Sequence, residues 1–358
     1  MRVAIIGGGI MGCACAEALA ARGATVTLLE RAVPGAEASS AAAGILGAQM
    51  ESHAAPQLRG MFVEARGLYP AWARSLHEST GIDIGYRKSG VVRVALDEPS
   101  TLGLKEEVRT HRAAGLAAEL LSAADIGRIE PEVTPEVLGG VHFPDDGQVD
   151  PRALLRALLV HVARAGVVQR TGTIVRSLLI DRDSCRGVVL DDGQLEADAV
   201  VLAAGSWSSL VGGLPKGLPT ITPARGQMVL LEERPARMRS IVVGPSGYVV
   251  PRGDGRVLCG STVENVGFRR EVTAGGVNSI LTSTIQLVPR LASAELADSW
   301  ASFRPQSTSD RPLLGASTVP GLFLATGHHR NGILLAKYSA NVVVDAIVGG
   351  PRTLGVSA

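Results

Sequence analysis

Gly7, Gly9 and Gly12 have the spacing G-x-G-x-x-G, and an acidic side chain, Glu30, follows eighteen positions after the last of them. That spacing is suited to binding a dinucleotide. Gly7 permits a tight turn, Gly9 lets a pyrophosphate approach a helix N-terminus, and Gly12 lets helix and strand pack closely. Glu30 would then accept hydrogen bonds from a ribose hydroxyl pair. The fingerprint alone does not separate a flavin dinucleotide from a nicotinamide one.

Three further features favour the flavin. The stretch Ser39-Ser40-Ala41-Ala42-Ala43-Gly44-Ile45-Leu46-Gly47 has almost no bulk, and a wide isoalloxazine ring needs a bed of closely approaching backbone. A late apolar strand, Val200 to Ala204, ends in Gly205-Ser206-Trp207, small enough at its close to pass under such a ring. Ala325-Thr326-Gly327-His328-His329-Arg330-Asn331-Gly332 is a strand end and glycine-bounded turn before the last helix. The positive end of that helix dipole would favour an anionic reduced flavin.

The elements that must position these residues follow from the hydrophobic pattern. Residues 2–6 read as a strand, Ile10 to Arg22 as a helix and Ala24 to Glu30 as a second strand, a βαβ unit with a right-handed crossover. A helix is expected over 58–80 and strands over 81–95, with a short acidic helix over 122–131. Asp150 caps a helix with Pro151 at its first position, running to about Ala165. Strands over 167–190 and 199–203 return the chain to the nucleotide-binding half. Residues 220–262 are strand-rich, with a hairpin turning at Gly253-Asp254-Gly255. A polar helix over 276–288, a strand over 322–325 and an apolar helix over 332–348 complete the chain.

Composition excludes several classes. The 358 residues carry 35 basic and 34 acidic side chains, a net charge of +1, so no basic face is available to neutralise phosphates and a nucleic-acid partner is not expected. The opening apolar run stops at Gly7, too short for a signal sequence or a membrane span, which places the protein in the cytoplasm with no membrane partner. Cys13, Cys15, Cys185 and Cys259 show neither a CxxC pair nor metal-ligand spacing, so they read as reduced packing residues and no metal is expected.

With these motifs in place, the chain resembles the D-amino acid oxidase superfamily of flavoproteins, and within it the glycine oxidase group, over nearly its whole length. The resemblance rests on Gly7 to Gly12 with Glu30, the loop 39–47, the segment Trp300-Ala301-Ser302-Phe303-Arg304-Pro305, and Gly327 to Leu334. It implies an α/β plus α+β architecture in which a doubly wound, Rossmann-like FAD-binding domain (1–80, 143–220 and 299–358) interleaves with an antiparallel-sheet substrate domain (81–142 and 221–298). The expected FAD contacts are Gly7, Gly9, Ile10, Met11 and Gly12, Glu30 with Arg31, and Ser39, Ser40, Ala43, Gly44 and Ile45. They continue with Thr173, Gly205 and Trp207, and close with Gly327, His328, His329, Arg330, Asn331, Gly332 and Ile333. Relatives that tether flavin use a histidine in the small-residue loop or a cysteine near the last turn. This sequence has neither, so FAD is expected to be noncovalent.

Hydride transfer from an amine demands little acid–base machinery; the substrate must be anchored with its Cα–H aimed at the flavin. Arg304 and Arg330 match carboxylate-contacting positions in the resemblance, and a guanidinium fork holds a carboxylate bidentately. Tyr248, on the hairpin strand, would add its hydroxyl. Met50 reads as an adaptable residue at the pocket mouth. Two departures from the glycine oxidase pattern stand near the expected pocket: Ser246 where His is typical and His329 where Phe is typical. The implied reaction oxidises glycine or an N-substituted glycine to an imine that water splits into glyoxylate and an amine, with dioxygen reduced to hydrogen peroxide. Alternatives are a D-amino acid or sarcosine-type dehydrogenase with another electron acceptor, and a binding protein in which flavin is structural. Homo-oligomerisation is left open.

Overall fold

The computed structural model describes residues 1–52, 55–309 and 311–349; the last nine positions assigned above to the FAD-binding domain lie outside them. Its centre is a six-stranded sheet in the order Leu313–Ala316, Leu322–Thr326, Ala199–Leu202, Arg2–Ile6, Thr25–Leu29, Val168–Arg170. All neighbours are parallel except the first pair. Parallel strands covered on both faces need near-continuous apolar sequence. Ala199–Leu202 is buried throughout, and only Arg2 of the first strand is exposed.

Helix Ile10–Ala20 crosses from the first strand to the second. Its small residues let it lie close to the sheet: a Cβ on Gly12 would sit 1.9 Å from the Gly7 carbonyl oxygen. Helices Arg59–Thr80, Pro151–Arg164 and Gly332–Val348 pack around it in one apolar core. The segment His329–Val348 is apolar and long enough to cross a membrane by length alone, yet more than half of it is buried in that core.

The second layer is an eight-stranded sheet in the order Glu295–Ser307, Ile221–Glu232, Arg256–Gly260, Tyr248–Pro251, Ile241–Val243, Val91–Ala95, Gly139–Phe143, Glu119–Leu121. Its pairs are antiparallel except Ile241–Val243 with Val91–Ala95. The hairpin at residues 253–255 has the expected form. The boundary drawn at residue 299 falls inside one continuous strand: Glu295–Ser307 pairs along its length with Ile221–Glu232, so 299–307 belong to this sheet.

Three local readings need correction. Only Val168–Arg170 of the stretch 167–190 joins the parallel sheet; Val175–Asp181, Ser184–Leu190 and Gly193–Glu196 form a separate three-stranded antiparallel sheet. Arg182 and Asp183, both at positive φ, make the hairpin that turns the chain back. Helix Leu104–Ala113 has no counterpart in the sequence reading, because Lys105, Glu106, Glu107 and Arg109 mask an apolar stripe reduced to Leu104 and Val108. The polar helix is Ala274–Leu287, capped by the Thr273 side chain, and starts two residues early.

The small-residue loop is fastened from outside. Ala41 O accepts from Trp300 Nε1 (3.0 Å), Ala43 O from the buried Arg252 guanidinium (2.7 Å) and Ser40 O from Arg152 Nε (3.1 Å). Ile45–Leu46 then pairs with Gly147–Gln148. Each fastening satisfies a loop carbonyl that lacks a ladder partner.

Candidate active site

One cavity of about 540 Å³ runs along the C-terminal ends of the parallel strands, where ligands of open α/β sheets collect, and is closed on its other side by the eight-stranded sheet. At one end it is lined by Glu30, Arg31 and Thr173 to Arg176. The Glu30 carboxylate is held by the Gly8 N–H (2.8 Å) and the Ala32 N–H (2.9 Å). Arg31 lies 3.9 Å over the Trp207 ring and pairs with Glu37 at 2.7 Å.

The middle is the turn before helix Ile10–Ala20. Gly7 has φ 108°, and a Cβ there would meet Ala203 O at 2.5 Å; a Cβ on Gly44 would meet Val149 O at 2.1 Å. Such close backbone, with Gly9, Ile10 and Met11 bordering the space, is a cradle fitted to a pyrophosphate and a flat ring system. The Ile10 N–H donates to Ser39 Oγ (2.9 Å), which ties the small-residue loop to the helix start.

The far end has two walls. Ala43, Gly44, Ile45, Glu51 and 328–333 form one; Gly226, Met228, Tyr248, Ser261, Ser302 and Arg304 form the other. Arg304 is positioned by its strand: Ala224 is its register partner, and its guanidinium lies across Gly226, where a Cβ would meet Nη1 at 2.2 Å. It donates to Thr262 O (3.0 Å) and Ser261 Oγ (2.7 Å). Burial pulls its pKa down, opposed by the Tyr248 hydroxyl facing it and by Glu51. Tyr248 pairs with Gly260, whose lack of a side chain leaves room for the phenol; its hydroxyl reaches Met228 Sδ at 3.3 Å.

On the opposite wall Arg330 Nε is 3.0 Å from Glu51 Oε1; the arginine side chain is half exposed and the carboxylate 10% exposed. Burial raises the Glu51 pKa, partly offset by Arg330 and by a hydrogen bond with Asn331. Glu51 rides on helix Ala48–Ser52, which Asp146 anchors by accepting from Gln49 N and Met50 N. Arg66 bridges Asp146 (2.6 Å) and Gln49 Oε1 (2.9 Å).

Both histidines of the last turn are held neutral. Burial drops His328 to about 3, and its Nε2 meets Ser339 Oγ at 2.9 Å. Burial, then Arg304 and Arg330, drop His329 to about 4. His329 adopts φ 49° and leaves Nε2 buried without a partner.

Of the residues expected to form the site, Gly7, Gly9, Ile10, Met11, Glu30, Arg31, Ser39, Ala43, Gly44, Ile45, Thr173, Gly205 and Trp207 line this cavity. His328 to Ile333, Tyr248 and Arg304 do so as well. Five do not. Gly12 packs under Gly7, Gly327 serves the turn at φ 79°, and the Ser40 hydroxyl donates to Gly35 O (2.7 Å). Met50 is buried with Val91, Phe143 and Met228, because neighbouring residues of a helix face about 100° apart and Glu51 takes the cavity side. Ser246 is exposed in the turn before Tyr248, outside the strand alternation that would have aimed it inward. Glu51 and Ser261, and with them Gly226, Met228 and Ser302 of the same walls, are among the residues that sequence reading missed.

A comparison with known proteins gives the class. The chain belongs to the family of FAD dependent oxidoreductases (DAO), whose model matches residues 2–346. It is 36% identical over 350 residues to the glycine oxidase of Geobacillus kaustophilus, covering 96% of this chain and 92% of that one. The crystal structure of that organism's glycine oxidase superposes with a TM-score of 0.93 at 35% identity, covering 99% and 97% of the two chains. It is 34% identical to the Bifunctional protein ThiO/ThiG of Trichormus variabilis over 97% of this chain, which spans about half (52%) of that protein. The iminodiacetate oxidase structure from Chelativorans sp. BNC1 has a TM-score of 0.89 at 25% identity, covering 99% and 98% of the two chains. The protein is thus an FAD-dependent oxidoreductase.

Proposed function

We propose that the protein oxidises glycine or an N-substituted glycine, with FAD held noncovalently and dioxygen as the final acceptor. The observation that carries this reading is the part-buried Arg304 guanidinium, fixed by Thr262 and Ser261, faced by Tyr248, and opening on the flavin-sized end of the cavity. A guanidinium so held is a preorganised anchor for one carboxylate. FAD supplies the hydride acceptor and the route of electrons to dioxygen.

Arg304 holds the substrate carboxylate and, with Tyr248, fixes which carbon lies over the ring. Glycine-lined backbone at Gly7 and Gly44 lets the cofactor approach. His328 and His329 stay neutral at physiological pH and add no charge to the site. The substrate amine reacts in its neutral form, the released imine is split by water to glyoxylate and the amine, and dioxygen becomes hydrogen peroxide. Likeness to glycine oxidases and to an iminodiacetate oxidase supports a substrate built on a glycine unit.

The test is anaerobic flavin bleaching across glycine, sarcosine, D-alanine, D-proline and N-carboxymethyl amino acids. Fastest bleaching by glycine or sarcosine is expected; faster bleaching by D-alanine would replace the reading with a D-amino acid oxidase. Peroxide yield against an artificial acceptor separates an oxidase from a dehydrogenase. Arg304→Ala should raise KM by two orders of magnitude or more with FAD content unchanged.

A further inference from the structure

We infer that Glu51 is a specificity-determining residue: an internal counter-carboxylate on Arg330 that tunes the substrate end of the cavity to one acid group and rejects a second. This rests on the function proposed above. Among the described residues, the substrate end holds two guanidinium groups, Arg304 and Arg330, and a single carboxylate, Glu51. With both histidines neutral, one positive charge is left over. A glycine unit with a neutral nitrogen brings one negative charge and balances it.

The two arginines are not equivalent. Among the described residues Arg304 is bound by the neutral oxygens of Thr262 and Ser261, whereas Arg330 has its Nε engaged by Glu51 at 3.0 Å. Arg304 therefore takes the substrate carboxylate. The pair Glu51–Arg330 borders whatever the nitrogen carries, near enough that both charges are felt at Arg304. Glu51 cannot easily swing aside, because Asp146 and Arg66 fix its short helix and Asn331 holds its side chain. A carboxymethyl group on the nitrogen would meet an existing carboxylate, and like charges brought together away from water repel strongly. Neutral N-substituents meet no such barrier.

The experiment compares wild type with Glu51→Gln at pH 8. The first reading is kcat/KM for glycine, sarcosine and iminodiacetate. The second is the flavin difference spectrum on titration with acetate and oxydiacetate, which carry one and two carboxylates and no amine. Glu51→Gln should raise the iminodiacetate-to-glycine ratio at least tenfold and tighten oxydiacetate far more than acetate. Arg330→Gln, at a half-exposed side chain, should move both ratios the opposite way. An unchanged ratio, equal tightening of both acids, or a wild-type preference for iminodiacetate would overturn the inference. If no glycine-type compound bleaches the flavin, the proposed function fails instead, while the acid titrations still read the charge balance.

Discussion

Gly226→Ala tests the anchor without touching it. Gly226 is not at positive φ, so alanine is allowed there by the backbone. Its Cβ would lie 2.2 Å from Arg304 Nη1 and 2.5 Å from Cζ and Nη2. Ordinary contact is about 3.5 Å, so the guanidinium must retreat by roughly 1.3 Å. Because the obstructed atoms are the far end of a flexible side chain, the chain still folds, but the hold of Thr262 O and Ser261 Oγ on the guanidinium is lost. Misplacing one charge-assisted hydrogen bond to the substrate carboxylate costs about 1.5–3 kcal/mol, or about tenfold to a hundredfold in KM. Steady-state kinetics with glycine, alongside the visible flavin spectrum and a melting curve, read all three consequences. A KM within twofold of wild type, in a variant that retains FAD, would refute the assignment of Arg304 to the carboxylate.

Asp146→Asn should lower the melting temperature by at least about 5 °C and weaken glycine oxidation. It strips a buried charge partner from Arg66 and one of the two oxygens that accept from the helix bearing Glu51; an unchanged melt by scanning fluorimetry contradicts this. His328 and His329 stay neutral in the native protein down to about pH 3 and 4, whereas unfolded histidines protonate near 6.5. Between these values the unfolded chain binds more protons, so stability is full above about pH 6.5 and falls as pH drops toward 4. Each histidine contributes up to about 1.4 kcal/mol per pH unit; a melting temperature flat from pH 7 to 5 would count against it. Gly7→Ala, with its Cβ driven into the Ala203 carbonyl at positive φ, should yield protein purified without yellow colour; full FAD occupancy would show the turn can yield.

The nucleotide-binding end was readable because its signals are local: a strand, a glycine turn and a helix within thirty residues, each dictated by backbone chemistry. Arg304, Arg330 and Tyr248 were reachable only through the resemblance, since nothing in an isolated arginine says that a glycine on the next strand, Gly226, clears space for it. Glu51 was lost to its neighbour because a five-residue helix carries too little periodicity to say which of two adjacent side chains faces inward. Ser246 failed for a related reason: alternation stops where the strand stops. Within the stretch 167–190, residues 171–190 depart from the sequence reading because antiparallel hairpins and returning parallel strands share the same β-branched pattern, and the turn at Arg182 and Asp183 distinguishes them.

The thirteen-residue strand Glu295–Ser307 makes the two halves inseparable parts of one object. It contributes Arg304 to one wall and, through the Phe303 carbonyl, receives the Ser206 hydroxyl from the turn after the parallel sheet (3.0 Å). A gene severed at codon 299 would share a single hydrogen-bonded ladder between two polypeptides, each with a raw edge where the other belongs. Such fragments should be insoluble when made alone and regain yellow colour only when made together.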